Sequence, residues 1–334
     1  MRTIGITYDV GTFLSPDRPS RPHFDRAAAR AELHAIAHDL RCDAVRIIGD
    51  DLDRLWVAAE IALGEGLAVY LSPQRHNLTP EQNLAYLDDA ADLAQSMADR
   101  GEVVLIVGVE ATLFQKGFLR GDTPRARAGT LMKPWSLLAS TIRMGSMHKL
   151  LNAYLASAVA RVRQRFAGPV TYASGTWEEV DWAPFDLVGV DLYRDRRNRD
   201  RYRDLVRAYA AKDRPLVITE FGTCTYAEAP DKGGLGWAIV DFAARPPRLT
   251  APVTRDEQAQ ATELAELLAL YDEEPVAGAF VFKWAAYTYP RSDVPEQDLD
   301  VASYGIVAVQ PDGSWRPKAA YAAVAAAGHR LARR

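Results

Sequence analysis

Eight short apolar runs, separated by stretches of helical periodicity, limit what this chain can fold into more than any other feature. They are TIGITYD (3–9), AVRIIGD (44–50), LAVYLSP (67–73), VVLIVGVE (103–110), PVTYASG (169–175), DLVGVDLY (186–193), PLVITEFG (215–222) and AFVFKW (279–284). Strands that are apolar throughout, rather than at alternate positions, belong to a parallel sheet covered on both faces. The first helical segment, FDRAAARAELHAIAHDL, opens on a capping Asp25; TPEQNLAYLDDAADLAQSMADR opens on Thr79 with Glu81 in its first turn. Further helices are expected over 146–165, 200–211 and 255–271, while the fifth unit has TWEEVDWAP in place of a full helix. Eight alternating units in 334 residues match a single α/β domain, a (β/α)8 TIM barrel over 1–334. A doubly wound sheet is the alternative, but YDVGTFLSP after the first run lacks the glycine spacing of a phosphate loop.

Two insertions, 111–145 and 223–254, follow the fourth and seventh runs, and loops of that length in a compact domain are usually functional. The segment 304–330 reads as a strand, a Pro-Asp-Gly turn and a helix, expected as an extension that closes the barrel against its first elements. Net charge is −4, and the densest basic run, RDRRNRDRYRD (194–204), alternates with aspartates, so no nucleic-acid partner is expected. No apolar stretch reaches eighteen residues and no basic leader pattern opens the sequence, so a cytoplasmic protein without a membrane partner is expected. Cys42 and Cys224 have neither the number nor the spacing of a disulfide framework or zinc site, and no cofactor or metal is expected.

In a barrel the chemistry sits at the carboxyl ends of the strands. The polar residues there include Asp9, Arg46, His76, Glu110, Trp177, Glu178, Asp191, Tyr193, Glu220 and, counted with the eighth run, Trp284. Glu110 and Glu220 terminate apolar runs abruptly, on strands four and seven, which face each other across the mouth. Two converging carboxyl groups, one protonated and one charged, are the minimal machinery for cleaving a glycosidic bond. Arg46 is placed to hold Glu220 ionised, Tyr193 to hydrogen-bond it, and Trp284 to stack a sugar ring. Asp9, His76, Trp177, Glu178 and Asp191 complete the expected substrate-binding set. The other reading of the two glutamates is structural ion pairing with Arg46 or Lys283.

These strand ends resemble those of the glycoside hydrolase clan A barrels. VGVE corresponds to the clan's acid/base at Glu110, ITEFG to its nucleophile at Glu220, VRI to its arginine at Arg46, GVDLY to its tyrosine at Tyr193 and FKW to its tryptophan at Trp284. The resemblance implies a retaining hydrolase or transglycosidase acting on a carbohydrate or glycosylated small molecule. One departure stands out: Val109 occupies the place of the asparagine that usually precedes the acid/base. That substitution points to altered specificity or to a barrel that binds without hydrolysing. TYASGTWEEVDW, ITEFGTCTY and DLDVASYGIVAV also resemble bacterial proteins labelled abortive infection protein, a label that implies phage defence.

Overall fold

The structure is a computed structural model and describes residues 1–15 and 18–333. Eight parallel strands close into a barrel in chain order: Thr3–Gly11, Ala44–Gly49, Ala68–Pro73, Val103–Val109, Val170–Gly175, Val188–Asp191, Leu216–Phe221 and Val276–Val281. Closure is made by the eighth strand pairing with the first, Thr3 beside Gly278 and Ile6 beside Val281. Each expected run is a barrel strand. The eighth stops at Val281, however, so Phe282, Lys283 and Trp284 lie past its end.

Helices start where the capping residues dictate. Asp25 accepts from the Ala28 N–H to begin Arg26–His34, which runs on as a π-helical turn, Ala35–Asp39. Thr79 caps Pro80–Met97 through a reciprocal capping box, whose partner is Gln82 at the third helical position rather than Glu81. The later helices begin and end within a few residues of expectation, at Met147–Val162, Tyr202–Ala210 and Glu257–Glu273. No helix occupies the fifth connection, 176–187, among the described residues.

Side chains alternate between two cores. Tyr70, Val104, Ile106, Ala173, Val217 and Phe280 point inward and fill the barrel, with the rings of Tyr70 and Phe280 4.5 Å apart. The intervening residues, such as Val45, Leu71, Leu105 and Val188, face out and pack beneath helix residues Leu55, Leu87, Leu155 and Leu267. The apolar plug leaves one layer of inward-facing polar groups above it, at the carboxyl ends of the strands.

The insertion after strand four is largely helical, with Ala111–Phe114, Pro124–Met132 and Pro134–Met144. That after strand seven is built of 3-10 turns, Ala229–Asp231 and Gly233–Ile239, and a short antiparallel pair, Val240–Asp241 with Arg248–Leu249. The segment expected as an extension is a hairpin, Val307–Val309 with Trp315–Pro317, followed by helix Ala319–Leu331. That helix packs along Glu257–Glu273 and crosses Leu40 so closely that a Cβ on Gly328 would stand 2.2 Å from the Leu40 carbonyl oxygen. It thus lies between Glu257–Glu273 and the end of the first helical segment. Among the described residues no helix is long and apolar enough to cross a membrane.

A buried charge network fastens this last segment to the insertion after strand seven. The Lys318 ammonium donates to Thr225 Oγ1 at 2.7 Å and lies 3.4 Å from Asp300, whose other oxygen accepts from Arg255 at 2.9 Å. Lys318 and Asp300 are both almost fully buried. Replacing Asp300 by Ala strands the ammonium without its counter-ion, and denaturant unfolding is expected to show a loss of about 3–5 kcal/mol. A loss below ~1 kcal/mol would mean the network carries no weight.

Candidate active site

Strict alternation would not bring Glu110 and Glu220 to the mouth; irregularities in strands four and seven do. Strand four advances from Ile106 to Val109 while strand five advances only from Thr171 to Ala173, so one extra residue is accommodated and Val109 turns into the barrel. Glu110 follows in a left-handed conformation, φ +38° and ψ +49°, which costs a non-glycine residue about 1–3 kcal/mol. Its N–H donates to the Ala173 carbonyl, and its own carbonyl accepts from Leu113 and Phe114, so the strained backbone is pinned on both sides. On strand seven, register shifts against both neighbours let Thr219 and Glu220 reach inward one after the other.

Glu220 is firmly held. Its Oε1 accepts from Arg46 Nη1 at 2.8 Å and its Oε2 from the Tyr193 hydroxyl at 3.0 Å. Arg46, fully buried on strand two, also donates to the Thr219 carbonyl at 2.9 Å and sits 3.6 Å from Asp191 Oδ1. Asp191, at the end of strand six, accepts from Thr219 Oγ1 at 2.7 Å; its Oδ2 is buried with no partner. Burial first, and then the charge of Glu220, push the Asp191 carboxyl well above the ordinary aspartate range, with Arg46 opposing. Glu220 thus has a charged and a neutral donor on its two oxygens.

Glu110 is the opposite case. It is half-buried, and its carboxyl group meets no hydrogen-bond donor among the described residues. Its proton affinity is raised well above that of an ordinary glutamate, by burial and then by the nearby charges of Asp191, Glu220 and Glu178; Arg46 only partly offsets them. The two glutamates therefore share one electrostatic neighbourhood but differ in environment, which separates a proton donor from a charged partner.

The remaining expected residues take varied positions. Asp9 is buried and internally satisfied: Oδ2 accepts from Lys283 Nζ at 2.6 Å, and Oδ1 accepts from Gly11 N at 2.9 Å and Ser20 Oγ at 2.8 Å. Lys283 thus pairs with Asp9 rather than with either glutamate. His76 stacks on Phe114 at 4.6 Å, its Nδ1 lies 3.1 Å from the Phe13 carbonyl, and its Nε2 is buried without a partner. Burial depresses its pKa to about 4, so the ring is neutral at pH 7. Glu178 accepts four hydrogen bonds, from Thr112 N and Oγ1, Tyr172 OH and Gly175 N, which leaves no free lone pair for a ligand. Trp177 donates to Thr112 Oγ1 at 3.0 Å. Both brace the turn that follows Glu110.

Trp284 is not at the mouth. It is fully buried in the outer core, 5.0 Å from the Trp315 ring and 6.1 Å from Tyr321, and offers no face to a sugar. The physical reason is that the strand ends three residues earlier, so inward alternation does not extend to it. Phe282 takes the place beside the site instead. It packs at 5.8 Å on Tyr304, which in turn packs at 5.8 Å on Tyr193, the tyrosine that holds Glu220. Tyr304 and Thr219 were not singled out from the sequence; their only signal is a tyrosine after strand eight and a threonine one residue before Glu220. The single group of metal-ligand type found among the described residues, His34, His38 and Glu65, lies on the outer helices at the far end of the barrel.

No protein-family pattern matches the chain, and no curated protein does. Solved structures resemble it in fold. A GH113 β-1,4-mannanase superposes with a TM-score of 0.64 at 16% identity, covering 98% of this chain and 99% of that one. The GH113 β-mannanase AaManA from Alicyclobacillus acidocaldarius, in complex with ManMIm, gives 0.62 at 19% identity, covering 99% and 98%. Saccharomyces cerevisiae Gas2p in complex with laminaripentaose gives 0.53 at 12% identity over 98% of this chain and 64% of that one. At these identities the likeness establishes the (β/α)8 fold.

The contrast between the two glutamates is directly measurable. Carbon-13 NMR titration is expected to place the Glu110 carboxyl well above the 4.5 of an ordinary glutamate, and Glu220→Gln to bring it down by removing a nearby negative charge. An ordinary value in the wild type, or one that Glu220→Gln leaves unchanged, would show that the two groups do not share a site.

Proposed function

We propose that this chain is a retaining glycoside hydrolase or transglycosidase acting on a carbohydrate or a glycosylated small molecule. The observation that carries the reading is the pairing of a shielded Glu110 of raised proton affinity with a Glu220 held by Arg46 and Tyr193. Glu220 attacks the anomeric carbon while Glu110 gives its proton to the departing glycosidic oxygen; the C–O bond breaks and a glycosyl ester forms on Glu220. In the second step Glu110, now a carboxylate, takes a proton from water or an acceptor sugar hydroxyl, whose oxygen displaces Glu220.

The electrostatics suit that reversal. While Glu220 is charged, its repulsion keeps the proton on Glu110. Once Glu220 is an ester the repulsion is gone, the affinity of Glu110 for its proton falls, and Glu110 is set to act as a base. Tyr193 and Phe282 line the sugar site beside Glu220. The fold likeness to a β-1,4-mannanase and to a protein solved with laminaripentaose supports β-linked hexose oligosaccharides as the first substrates to assay.

A second reading, binding without hydrolysis, is favoured by Val109. It is buried among the apolar residues of the barrel interior, so the position before Glu110 offers a substrate no hydrogen bond. Turnover separates the two.

Glu110→Ala is expected to lower kcat/KM by about 10²–10⁴-fold on glycosides with poor leaving groups, and far less on activated aryl glycosides that need no proton. The alkaline limb of the kcat/KM profile reports Glu110 losing its proton, so it lies well above the ordinary glutamate value and vanishes in that variant on the activated substrate. Equal losses on both substrate types would remove Glu110 as the proton donor, and no turnover on any aryl glycoside would favour the binding reading.

A further inference from the structure

The insertion after strand four carries a surface that no step above uses. Helix Pro134–Met144 exposes Trp135 at 83%, Leu138 at 49% and Ile142 at 78%, and Met132, just before it, is exposed at 74%. Residues at i, i+3 and i+7 share one side of a helix, so Trp135, Leu138 and Ile142 form a continuous apolar stripe facing solvent. Single exposed apolar side chains are ordinary; four within eleven residues are not.

The charge around the stripe is one-sided as well. Residues 111–150 contain seven lysines and arginines and a single acid, Asp122, a net +6 in a chain whose total is −4. Six of the seven cations are exposed. The exception, Arg127, is buried, where it donates to the Leu113 and Gly121 carbonyls and to Asn77 Oδ1 and fixes the insertion to the barrel rim.

A cleft of about 840 Å³ opens between the two long insertion helices and the loop before them. Lys116, Arg120 and Arg143 line it, Asp122 is its only acid, and Trp135 forms part of its wall. At about 100° per residue, Ser136, Ala139 and Arg143 face the cleft while Leu138 and Ile142 face away on its other side, and Trp135 stands where both meet. A cationic cleft thus adjoins an apolar ridge, with an indole at the junction.

We propose that this insertion docks the protein on a bilayer surface bearing anionic headgroups. A phosphate headgroup enters the cleft between Lys116, Arg120 and Arg143, while Trp135, Leu138 and Ile142 enter the boundary between headgroups and acyl chains. This is the division of labour of an interfacial amphipathic helix, in which neither the apolar area nor the charge suffices alone. Docking is peripheral, since no described helix can span a bilayer. Because the insertion follows a strand's carboxyl end, it also brings the barrel mouth close to the membrane plane. The expectation of no membrane partner rests on the lack of a spanning apolar run, which peripheral docking does not need, and residues 111–150 carry a net charge opposite in sign to that of the whole chain. The proposal does not depend on the glycosidase reading.

Co-sedimentation of the full chain with vesicles tests it. The protein is expected to pellet with phosphatidylcholine vesicles containing one-third phosphatidylglycerol, not with phosphatidylcholine alone, and to be released by high salt. Each charge removed near the surface costs about fivefold in partition. Lys116→Glu combined with Arg120→Glu and Arg143→Glu is therefore expected to abolish binding, as is Trp135→Ser combined with Ile142→Ser. These side chains are exposed, so an unchanged circular dichroism spectrum and melting temperature would confirm that both variants fold. Equal binding to both vesicle types, binding to neither, or wild-type binding by either variant would overturn the proposal. So would a dimer that Trp135→Ser with Ile142→Ser dissociates in the absence of vesicle binding, since the face would then be an interface between copies. Full displacement by inorganic phosphate would replace the bilayer with a soluble anion.

Discussion

The guanidinium of Arg46, buried at the centre of the barrel mouth, is the constraint on which the site depends. Removing such a group from water carries a penalty of several kcal/mol that only close counter-charges and good hydrogen bonds offset. Here the offset comes from Glu220 at 2.8 Å, Asp191 at 3.6 Å and the Thr219 carbonyl at 2.9 Å. One fixed positive charge faces Glu110, Asp191 and Glu220 together, and it cannot stabilise three ionised carboxylates in a desolvated space. The proton affinities must spread. Glu220 is in direct contact with Arg46 and Tyr193, while burial and the neighbouring carboxylates drive Glu110 and Asp191 towards their neutral forms.

That electrostatic division rests on backbone geometry. Regular strands present every second residue to the barrel axis, and the apolar plug of Tyr70, Ile106, Val217 and Phe280 uses this regularity. The site departs from it. One extra residue in strand four places Val109 inward and Glu110 at the rim in a left-handed conformation, and shifts in strand seven let Thr219 and Glu220 both face in. Glu178 then locks the turn beyond Glu110 by accepting four hydrogen bonds from Thr112, Tyr172 and Gly175. The strain at Glu110 persists because neighbours on strands four and five determine its position.

Apolar runs and helix caps were enough to read the barrel, because each strand is buried on both faces and each cap is a local interaction. Arg46, Glu110 and Glu220 could be picked out because each ends an apolar run or points inward from one, and Tyr193 because it closes the apolar run 186–193. Sequence reasoning went astray where those simple rules stop. Trp284 was assigned to the mouth by extending a strand that ends at Val281, and Phe282 was passed over for the same reason. Glu178 looked open to a ligand because four donors from three other residues cannot be seen in one dimension.

The central proposal is that Glu220, held by Arg46 and Tyr193, is the nucleophile, and it is most directly tested by covalent trapping. Incubation with a 2-deoxy-2-fluoro glycoside carrying an activated leaving group, followed by peptide mass spectrometry, should yield a fluoroglycosyl ester on Glu220 and none in Glu220→Gln. A label on another residue, or turnover of the parent glycoside with no trapped ester, would contradict the account.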